Sequence, residues 1–418
     1  MFNLYLFDDQ RAQNWQPFAL TRPVGELLLG CLSMRQRAEA FWRTRCLGHL
    51  TCHNLINFDE PDTPPVVQLA DISSDKPLVL FLSRAVPALT GINKKVISGI
   101  HHDNTPKVLL MADEVVGWFF PGGFSDFDSL DLLDPSNSLT NSPTQQLSGN
   151  VLHNIWDLVS ENGEQIRRDL GVTSQRQSQK SPMLPTGVTC QGDYIISIQK
   201  NVTIDPRVHL DSTLGPILIS SGVRISPFTH LIGPAFIGPD THLVGGQMSG
   251  LTAGNNCKLH GEISNSIILG YTNKAHGGYL GNSYVGAWVN LGAFTSNSDL
   301  KNNYGNIKIH TSQGIVNTGN KKLGIFVGDH VKTGIGTLLP AGCTIGCGTN
   351  IFGGGMTPSE ILPFSWGTSD NMETYRLQPF LKMVNKVMDR RELSLTAKAE
   401  QLLKIAWEEQ SSGHHANP

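Results

Sequence analysis

Aliphatic residues recur at every sixth position, with shifts of frame, from about Pro185 to Gly355. Six residues make one short strand and a turn, so an aliphatic side chain points inward once per step. A small residue often follows and permits the bend. The pattern predicts a solenoid of stacked coils rather than a β-sandwich, which would alternate with a period of two. The repeating positions are Ile198, Ile204, Leu210, Ile219, Ile225, Leu231, Ile237, Leu243, Val285, Leu291, Val327, Thr333, Leu339, Ile345 and Ile351.

The amino-terminal part of the chain has a different pattern, in which short apolar runs are mixed with amphipathic segments. The runs Asn3–Phe7, Leu78–Leu82 and Val108–Met111 are typical of buried strands. Gly25–Trp42 and Asn154–Leu170 have helical spacing. This mixture predicts an α/β domain over residues 1–172.

The remaining segments complete the predicted domain organisation. Residues 173–184 hold few apolar side chains and are a predicted linker, and residues 185–358 hold the solenoid. Residues 359–418 are predicted to form a helical cap and a disordered tail. Such a cap covers the strand edges that the last coil would otherwise expose. Its predicted apolar face consists of Phe380, Met383, Val384, Val387 and Met388.

Composition narrows the class of protein. The chain has 418 residues with 43 Gly, 16% charged residues and a formal net charge of −3. This balance provides nothing to attract nucleic acid or an anionic membrane surface. We expect no signal peptide and no membrane-spanning run. The seven Cys, an odd number, are not a disulfide framework, so we expect a cytoplasmic protein.

The most specific motif is KAHGGYLGNSYVGAWVN, residues 274–290, followed by LGAFTSNSD. It resembles the acetyltransferase half of the bifunctional N-acetylglucosamine-1-phosphate uridylyltransferase/glucosamine-1-phosphate acetyltransferase family, whose signature is roughly H-x-x-Y-L-G-D followed by V-N-I-G-A-G-T. Asn282 replaces the usual Asp, and Phe294 replaces a Gly. The resemblance implies an α/β nucleotidyltransferase-like N-terminal domain, a left-handed parallel β-helix of hexapeptide repeats with a C-terminal helix, and a homotrimer.

The resemblance also implies which residues bind and activate the acceptor. His276 matches the family's general base. A substrate amine must lose a proton before it attacks a thioester, and an imidazole titrates near neutrality. Tyr279, Asn290 and Asn297 match contacts to the sugar phosphate and to the acceptor group.

The family's cations for the sugar phosphate are missing from their usual positions. Ser264 or Asn265 stands where a Lys is expected, and no Arg matches in an early coil. Lys301 is the predicted replacement, with Lys258 and Lys274 as alternatives. Two interpretations stay open, a different acceptor or a phosphate that is held by another arrangement.

Acetyl-CoA, the implied acyl donor, is expected along the later coils, Val327–Gly355, of a neighbouring chain. The predicted donor contacts are Asp329, Gly346 and Cys347. His330 is a rival catalytic candidate that ranks below His276.

The segment FALTRPVGEL, residues 18–27, resembles a divergent branch of sugar nucleotidyltransferases. The usual pattern G-x-G-T-R-x-x-P-K is absent. On this resemblance, Arg11, Thr21 and Arg22 are the predicted nucleotide-binding residues. The predicted Mg²⁺ ligands, all carboxylates, are Asp8, Asp9 and Asp113.

These observations predict a transferase. It would move an acetyl group from acetyl-CoA to an amino sugar 1-phosphate resembling glucosamine 1-phosphate, coupled to nucleotidyl transfer from a nucleoside triphosphate to the sugar 1-phosphate. One alternative is a sugar-1-phosphate nucleotidyltransferase whose β-helix only trimerises the chain. The other is a non-catalytic scaffold that binds sugar nucleotides. No nucleic acid and no membrane is expected as a partner.

Overall fold

A computed structural model describes residues 2–72, 76–89, 105–123, 131–135, 142–174 and 184–414. These residues form an α/β domain, a parallel β-helix and C-terminal helices, so the predicted fold class is confirmed. Most of the predicted linker and the end of the predicted tail lie outside the described residues.

The N-terminal domain is built on a mixed sheet. Its strands are β1 (Asn3–Phe7), β2 (Leu28–Leu29), β3 (Leu32–Ser33), β4 (Cys46–Leu50), β5 (Leu78–Leu82), β6 (Ala85–Pro87), β7 (Lys107–Met111), β8 (Glu114–Phe120), β9 (Thr144–Leu147) and β10 (Gly149–Val151). Six of them pair in the order β4-β1-β5-β8-β7-β9. β1 is parallel to both of its neighbours, β4 and β5. The three predicted buried strands are found as β1, β5 and β7.

Helices cover this sheet and connect it to the β-helix. They are α1 (Gln10–Gln13), α2 (Met34–Trp42) and α3 (Asp157–Ser174), with 3-10 turns at Val24–Glu26, His53–Leu55 and Leu69–Asp71. The helix that we predicted over residues 25–42 begins only at Met34. Ser33 and Gln36 form a capping box there, and the β2–β3 hairpin occupies part of the preceding segment.

The β-helix consists of short strands, most of them joined by tight turns. Its strands are β11 (Thr189–Gln191), β12 (Ile196–Ile198), β13 (Thr203–Ile204), β14 (His209–Asp211), β15 (Ile217–Ile219), β16 (Arg224–Ile225), β17 (Thr229–Ile232), β18 (Ala235–Ile237), β19 (His242–Ser249), β20 (Thr252–Asn255), β21 (Lys258–His260), β22 (Glu262–Ser264), β23 (Ile267–Gly270), β24 (Asn273–Lys274), β25 (Tyr279–Gly281), β26 (Tyr284–Ala287), β27 (Ser296–Asn297), β28 (Lys308–Thr311), β29 (Gly314–Asn317), β30 (Phe326–Val327), β31 (Lys332–Thr333), β32 (Thr337–Leu339), β33 (Thr344–Ile345), β34 (Asn350–Ile351), β35 (Gly355–Met356), β36 (Glu360–Ile361), β37 (Ser365–Thr368) and β38 (Asn371–Thr374).

Parallel pairing in register stacks the inward side chains of successive coils. One column runs through Ile198, Ile219, Ile237, Ala253, Ile268, Val285, Val327, Ile345 and Ile361. Most of the residues on the predicted six-residue repeat belong to one buried cluster. The repeat therefore predicted the interior of the β-helix correctly, because one inward position per strand is all that a stacked coil requires.

An insertion interrupts the repeat between β27 and β30. It carries the antiparallel hairpin of β28 and β29, which folds back towards the N-terminal domain. Ile307 and Ile309 belong to the buried cluster that contains Trp15, and Ser312 Oγ lies 2.8 Å from Asn14 Oδ1. The insertion thereby bridges the two domains.

Two helices follow the last coils, α4 (Leu377–Asp389) and α5 (Ala397–His414). Phe380 of α4 is buried against Phe364, with ring centroids 5.2 Å apart. α5 reaches the N-terminal domain, where Leu402 joins a cluster with Leu55 and Phe58. None of the helices in the described residues combines the length and apolar content that crossing a membrane requires.

The N-terminal domain packs along one face of the β-helix. The rings of Phe18 and Tyr284 lie 4.6 Å apart, and the backbone N–H of Leu28 donates to Tyr284 Oη at 2.8 Å. Thr252 Oγ1 donates to the carbonyl of Gly30 at 2.9 Å. This β-helix face, which includes β20 and β26, is covered by the chain's own N-terminal domain.

Candidate functional site

The loop that carries His276 is anchored by a buried lysine. Lys274 pairs in register with Leu259, so it occupies an inward position where the preceding coil has an aliphatic side chain. Its Nζ donates to the carbonyls of His260 at 2.9 Å, His276 at 3.2 Å and Gly278 at 2.7 Å. Burial lowers the pKa of Lys274 to about 8. Its ammonium is used to hold the loop and is not free for a sugar phosphate.

His276 itself is exposed at the tip of this loop. Its backbone carbonyl is held by Lys274, whereas no described side chain hydrogen-bonds to its imidazole. A general base needs a ring nitrogen that is open to substrate and a backbone that does not drift. The loop provides both.

Next to the loop, an aspartate that the sequence analysis did not single out gathers two polar side chains. Tyr279 Oη donates to Asp299 Oδ2 at 2.8 Å and lies 3.0 Å from Ser264 Oγ. Asn282 Nδ2 donates to the same Asp299 oxygen at 2.5 Å. Burial raises the pKa of Tyr279 to about 12, and Asp299 adds to the shift. Asp299 is the last residue of the motif, but the motif does not show its contacts with Tyr279 and Asn282.

The other predicted acceptor contacts are separated. Asn297 is buried. Its Oδ1 accepts from the Gly281 N–H at 2.9 Å and its Nδ2 donates to the Gly281 carbonyl at 3.0 Å, so its side chain links β27 to β25. This argues against a substrate contact. Asn290 is exposed and bridges Asn273 of β24 and Lys332 of β31, whereas Tyr279 lies on β25, which pairs with β22.

Lys301 lies shortly after Asp299 on the inserted segment. Its Nζ donates to the carbonyl of Asn306 at 2.9 Å. An ammonium has three N–H donors, so this bond leaves capacity for a further acceptor.

The predicted donor contacts Asp329, Gly346 and Cys347 are all buried. Asp329 Oδ1 accepts from the Ala287 N–H at 2.7 Å. Cys347 packs in a cluster that includes Leu20 and Phe380. An acyl donor has no access to these side chains, and their burial argues against the roles that we predicted for them.

The structure instead joins two sets of residues that we had assigned to different ligands. Thr21 Oγ1 donates to Asp329 Oδ2 at 2.7 Å, and Arg22 Nε and Nη2 donate to the same oxygen at 3.0 and 2.9 Å. Arg22 also forms two bonds to Glu60, of 3.0 and 2.8 Å. Burial alone would lower the pKa of Arg22, but the two carboxylates raise it. Thr21 and Arg22 therefore couple the domains and are not open to a nucleotide phosphate.

The predicted Mg²⁺ ligands are not brought together. Asp9 caps α1 and forms an ion pair with Arg84 at 2.6 Å. Asp8 is buried and accepts from the Val24 N–H at 3.2 Å and from the Ser83 hydroxyl. Asp113 is exposed in the turn between β7 and β8. They are not among the described groups whose ligand atoms converge as one metal ion requires, which argues against a shared Mg²⁺ site.

A small cavity lies beyond the carboxyl ends of β1 and β4. It has a volume of about 260 Å³, and its described polar lining consists of Asp8, Gln13, Thr51, His53 and Gln68. Ligands of α/β sheets bind at such strand ends. No Lys or Arg is found among its described lining residues, and Arg11 is instead 3.0 Å from His153 Nδ1.

A larger cavity of about 760 Å³ lies between the N-terminal domain, the β-helix and the C-terminal helices, and all three contribute lining residues. Its two arginines are already paired, Arg22 as described above and Arg35 with Glu26 at 2.5 Å. The excess charge on its wall is negative and opposes a polyphosphate ligand. Its acidic residues are Glu26, Asp59, Glu60, Asp62 and Glu392.

The rival base, His330, is buried. It lies between Trp288 and Phe380, with ring centroids 6.3 and 6.4 Å away. Burial lowers its pKa to about 3, so it stays neutral. This location argues against a catalytic role.

The fold thus defines an α/β domain joined to a parallel β-helix that presents an exposed histidine loop. Residues 4–177 match the family described as sugar nucleotidyl transferase. The bifunctional sugar-1-phosphate nucleotidylyltransferase/acetyltransferase of Sulfurisphaera tokodaii is 28% identical over 165 residues, 40% of each chain. The resemblance inferred from the sequence is confirmed by these matches.

Cyanobacterial proteins are also similar. The bifunctional protein GlmU of Trichormus variabilis is 31% identical over 148 residues, 35% of this chain and 24% of that protein. GlmU of Synechococcus elongatus is 26% identical over 239 residues, 56% of this chain and 45% of that protein. The matched regions therefore span less than half of each relative's own length.

One solved structure is that of a mutant of AntD, an N-acyltransferase from Bacillus cereus, in complex with dTDP and Coenzyme A. It covers 47% of this chain and 91% of that chain at 12% identity, with a TM-score of 0.17. A score this low carries no argument about fold or function.

Proposed function

We propose that this protein transfers an acetyl group from acetyl-CoA to the amine of an amino sugar 1-phosphate, with His276 as the general base. The observation that carries the proposal is the anchored, exposed imidazole inside a motif shared with bifunctional acetyltransferases. His276 takes the proton from the attacking nitrogen, the nitrogen bonds to the thioester carbon, and CoA leaves as the thiol.

Asp299 and Lys301 are the proposed acceptor contacts beside His276. The carboxylate of Asp299 favours a group that donates hydrogen bonds or carries positive charge, such as a sugar amine. Tyr279 and Asn282 hold that carboxylate in place. Lys301 is the proposed partner of the sugar phosphate.

The acetyl-CoA groove is proposed to form against a second copy of the chain in a homotrimer. Beyond the His276 coil, the outward positions of β32 and β35 are apolar and exposed, with Leu338 paired to Met356. Leu338 is in turn paired to Ser296, whose hydroxyl accepts from the Tyr279 N–H at 3.1 Å. An exposed apolar strip of this kind fits a partner chain or the pantetheine arm.

The cavity at the ends of β1 and β4 is the proposed nucleotide site for transfer to the sugar 1-phosphate. Its position at the strand ends and the sugar nucleotidyl transferase match over residues 4–177 support this assignment. Nucleotidyl transfer commonly uses Mg²⁺, but the carboxylates that we predicted as ligands do not fit it. We therefore derive no metal-dependent step.

The test is release of free CoA from acetyl-CoA and glucosamine 1-phosphate by the purified protein. His276→Ala is expected to reduce the rate by about 10²–10⁴-fold, because it removes the base. His414→Ala, a histidine at the end of α5, is the matched control and should behave as wild type. A His276→Ala rate equal to that of wild type would contradict the base assignment.

The same preparation distinguishes the alternatives. Pyrophosphate release from sugar 1-phosphate with UTP or dTTP, without CoA release, would favour a nucleotidyltransferase with a purely trimerising β-helix. Binding of sugar nucleotide without either reaction would favour the scaffold. The molar mass in solution, measured by light scattering, tests the trimer.

A further inference from the structure

The first complete coils of the β-helix carry a cluster of nitrogen and oxygen donors on their outer surface. His209 and Asp211 are two residues apart on β14, so both side chains point to the same face. His230 on β17 is the register partner of His209 in the next coil. The ring centroids of the two histidines are 5.0 Å apart.

The potential ligand atoms of these residues converge. One ring nitrogen from each His and one oxygen from Asp211 all lie within 4.8 Å of one another. His230 Nε2 and Asp211 Oδ2 are 3.8 Å apart, too far for a hydrogen bond. Two ligands that share a tetrahedral zinc ion are about 3.3 Å apart for bonds of about 2.0–2.1 Å. A small movement would bring the donors to that spacing.

His230 Nε2 provides a second, independent observation that favours a ligand at this position. The atom is shielded from solvent and has no hydrogen-bond partner. A buried polar nitrogen without a partner is unfavourable unless something else satisfies it. The neighbouring carboxylate does not reach it, whereas a cation between them would bond to both.

The surrounding side chains orient the donors as metal sites require. His209 Nδ1 is 2.8 Å from Thr189 Oγ1, so an Nδ1–H bond to that hydroxyl leaves Nε2 with a free lone pair. Gln191 Nε2 donates to Asp211 Oδ2 at 2.8 Å, and the Thr213 N–H donates to Oδ1 at 2.9 Å. Hydrogen bonds to the second nitrogen of a ligating His and to a ligating carboxylate fix both in place.

We propose that His209, Asp211 and His230 bind a divalent transition-metal ion of the zinc class. Two imidazoles and one carboxylate favour Zn²⁺, Co²⁺ or Ni²⁺ over Mg²⁺ and Ca²⁺, which prefer oxygen ligands alone. The three ligands leave a position open to water or to another molecule. The site is separate from the His276 loop, because β19 and β22 lie between β17 and β25 in the sheet.

The experiment uses the full chain without an affinity tag, stripped of metal by a chelator and titrated with Co²⁺. Wild type is expected to bind one equivalent with visible absorption bands, and Zn²⁺ should displace it. His209→Ala and His230→Ala are each expected to weaken Co²⁺ binding by more than about tenfold. His242→Ala is the matched control, because it removes a half-buried histidine that is bonded to Ser226 and lies in the part of β19 that pairs with β16 and β21.

Asp211→Asn keeps the size of the side chain and provides a second test if either His variant fails to fold. It should also weaken Co²⁺ binding by more than about tenfold, and a cooperative thermal transition of the metal-free variant would show that the fold is kept. Absence of Co²⁺ binding by wild type would overturn the proposal. So would binding that persists in all three variants, which would place the metal elsewhere, for example at His414 and His415.

Discussion

Lys274 has two roles within one side chain. Its methylene chain fills an inward position of the β-helix, and its ammonium closes the His276 loop through three carbonyls. Lys274→Met keeps most of the volume and removes the donors. We expect the unfolding free energy to fall by about 1–3 kcal/mol, because buried carbonyls lose their partner.

The same substitution is expected to lower the acetyl-transfer rate by roughly tenfold to a hundredfold, since the loop no longer holds His276 at a fixed distance from the substrate. Urea unfolding and CoA release measure the two effects. Lys200→Met, which removes an exposed lysine between β12 and β13, is the control. A Lys274→Met variant with wild-type activity would mean that the loop needs no anchor.

Residue-level roles were the least predictable from the sequence. The motif identified His276 and Tyr279 as neighbours, because both lie on one short segment. The inward orientation of Lys274 and Asn297 could not be predicted, since each places a polar side chain at a strand position where the paired coil has an aliphatic one. Asp299 depends on a contact across seventeen residues from Asn282, which the spacing alone does not show.

At the scale of elements, α4 packs against successive coils of the β-helix. Phe380 is fully buried between Phe364, His330 and Tyr375. Phe380→Ala is expected to cost about 3–5 kcal/mol of stability, because it leaves a cavity at this junction. Phe294→Ala, at an exposed ring, should cost much less.

The reaction of Cys347 with a thiol reagent gives a second measurement of how tightly α4 packs on the β-helix. Burial raises the pKa of Cys347, and Phe380 belongs to the cluster that covers this thiol. Loosening α4 should make Cys347 react faster, as peptide mass spectrometry after timed labelling would detect. Unchanged labelling of Cys347 in Phe380→Ala would mean that the rest of the cluster suffices to cover it.

Elements were predicted best where a strict period applied. The six-residue repeat placed most of the inward column, and the helical character predicted for the C-terminal segment is found in α4 and α5. The start of α2 was placed too early, because the apolar residues that precede Ser33 serve the domain interface instead. Nothing in the repeat indicated that the insertion would fold as a hairpin against the N-terminal domain.

At the scale of the whole molecule, a buried ion pair joins the two domains. Arg22 comes from the N-terminal domain and Asp329 from the β-helix, so their partnership could not be inferred from either local pattern. Removing one partner of a buried pair typically costs about 3–5 kcal/mol, because the other charge stays uncompensated. Arg22→Met and Asp329→Asn are each expected to destabilise the protein by this amount.

A double-mutant cycle tests whether the two residues act through each other. The double variant should lose less stability than both single variants combined, by about 0.5–3 kcal/mol. Arg224→Met, which removes an exposed ion pair of 3.7 Å with Asp205, is the control and should cost about 0–1 kcal/mol. Additive losses in the double variant would mean that Arg22 and Asp329 do not stabilise the protein through each other.

The pair of Arg22 and Asp329 should also make the stability of the protein depend on pH. Burial by itself raises the pKa of Asp329, but Arg22 and the bonds from Thr21 and Ala287 outweigh it and hold the pKa below its ordinary value. A carboxyl of this kind stabilises the fold fully above its unfolded pKa of about 3.9, and its contribution is lost as the pH falls through the folded value. The difference in unfolding free energy between wild type and Asp329→Asn should therefore be constant near neutrality and shrink below about pH 4.

Glu60 contributes to the pH dependence of stability with the opposite sign, because burial raises its pKa. It is present in both proteins, so its contribution largely cancels in the difference. A difference that stays constant down to about pH 2 would show that Asp329 is not the acid-sensitive link between the domains.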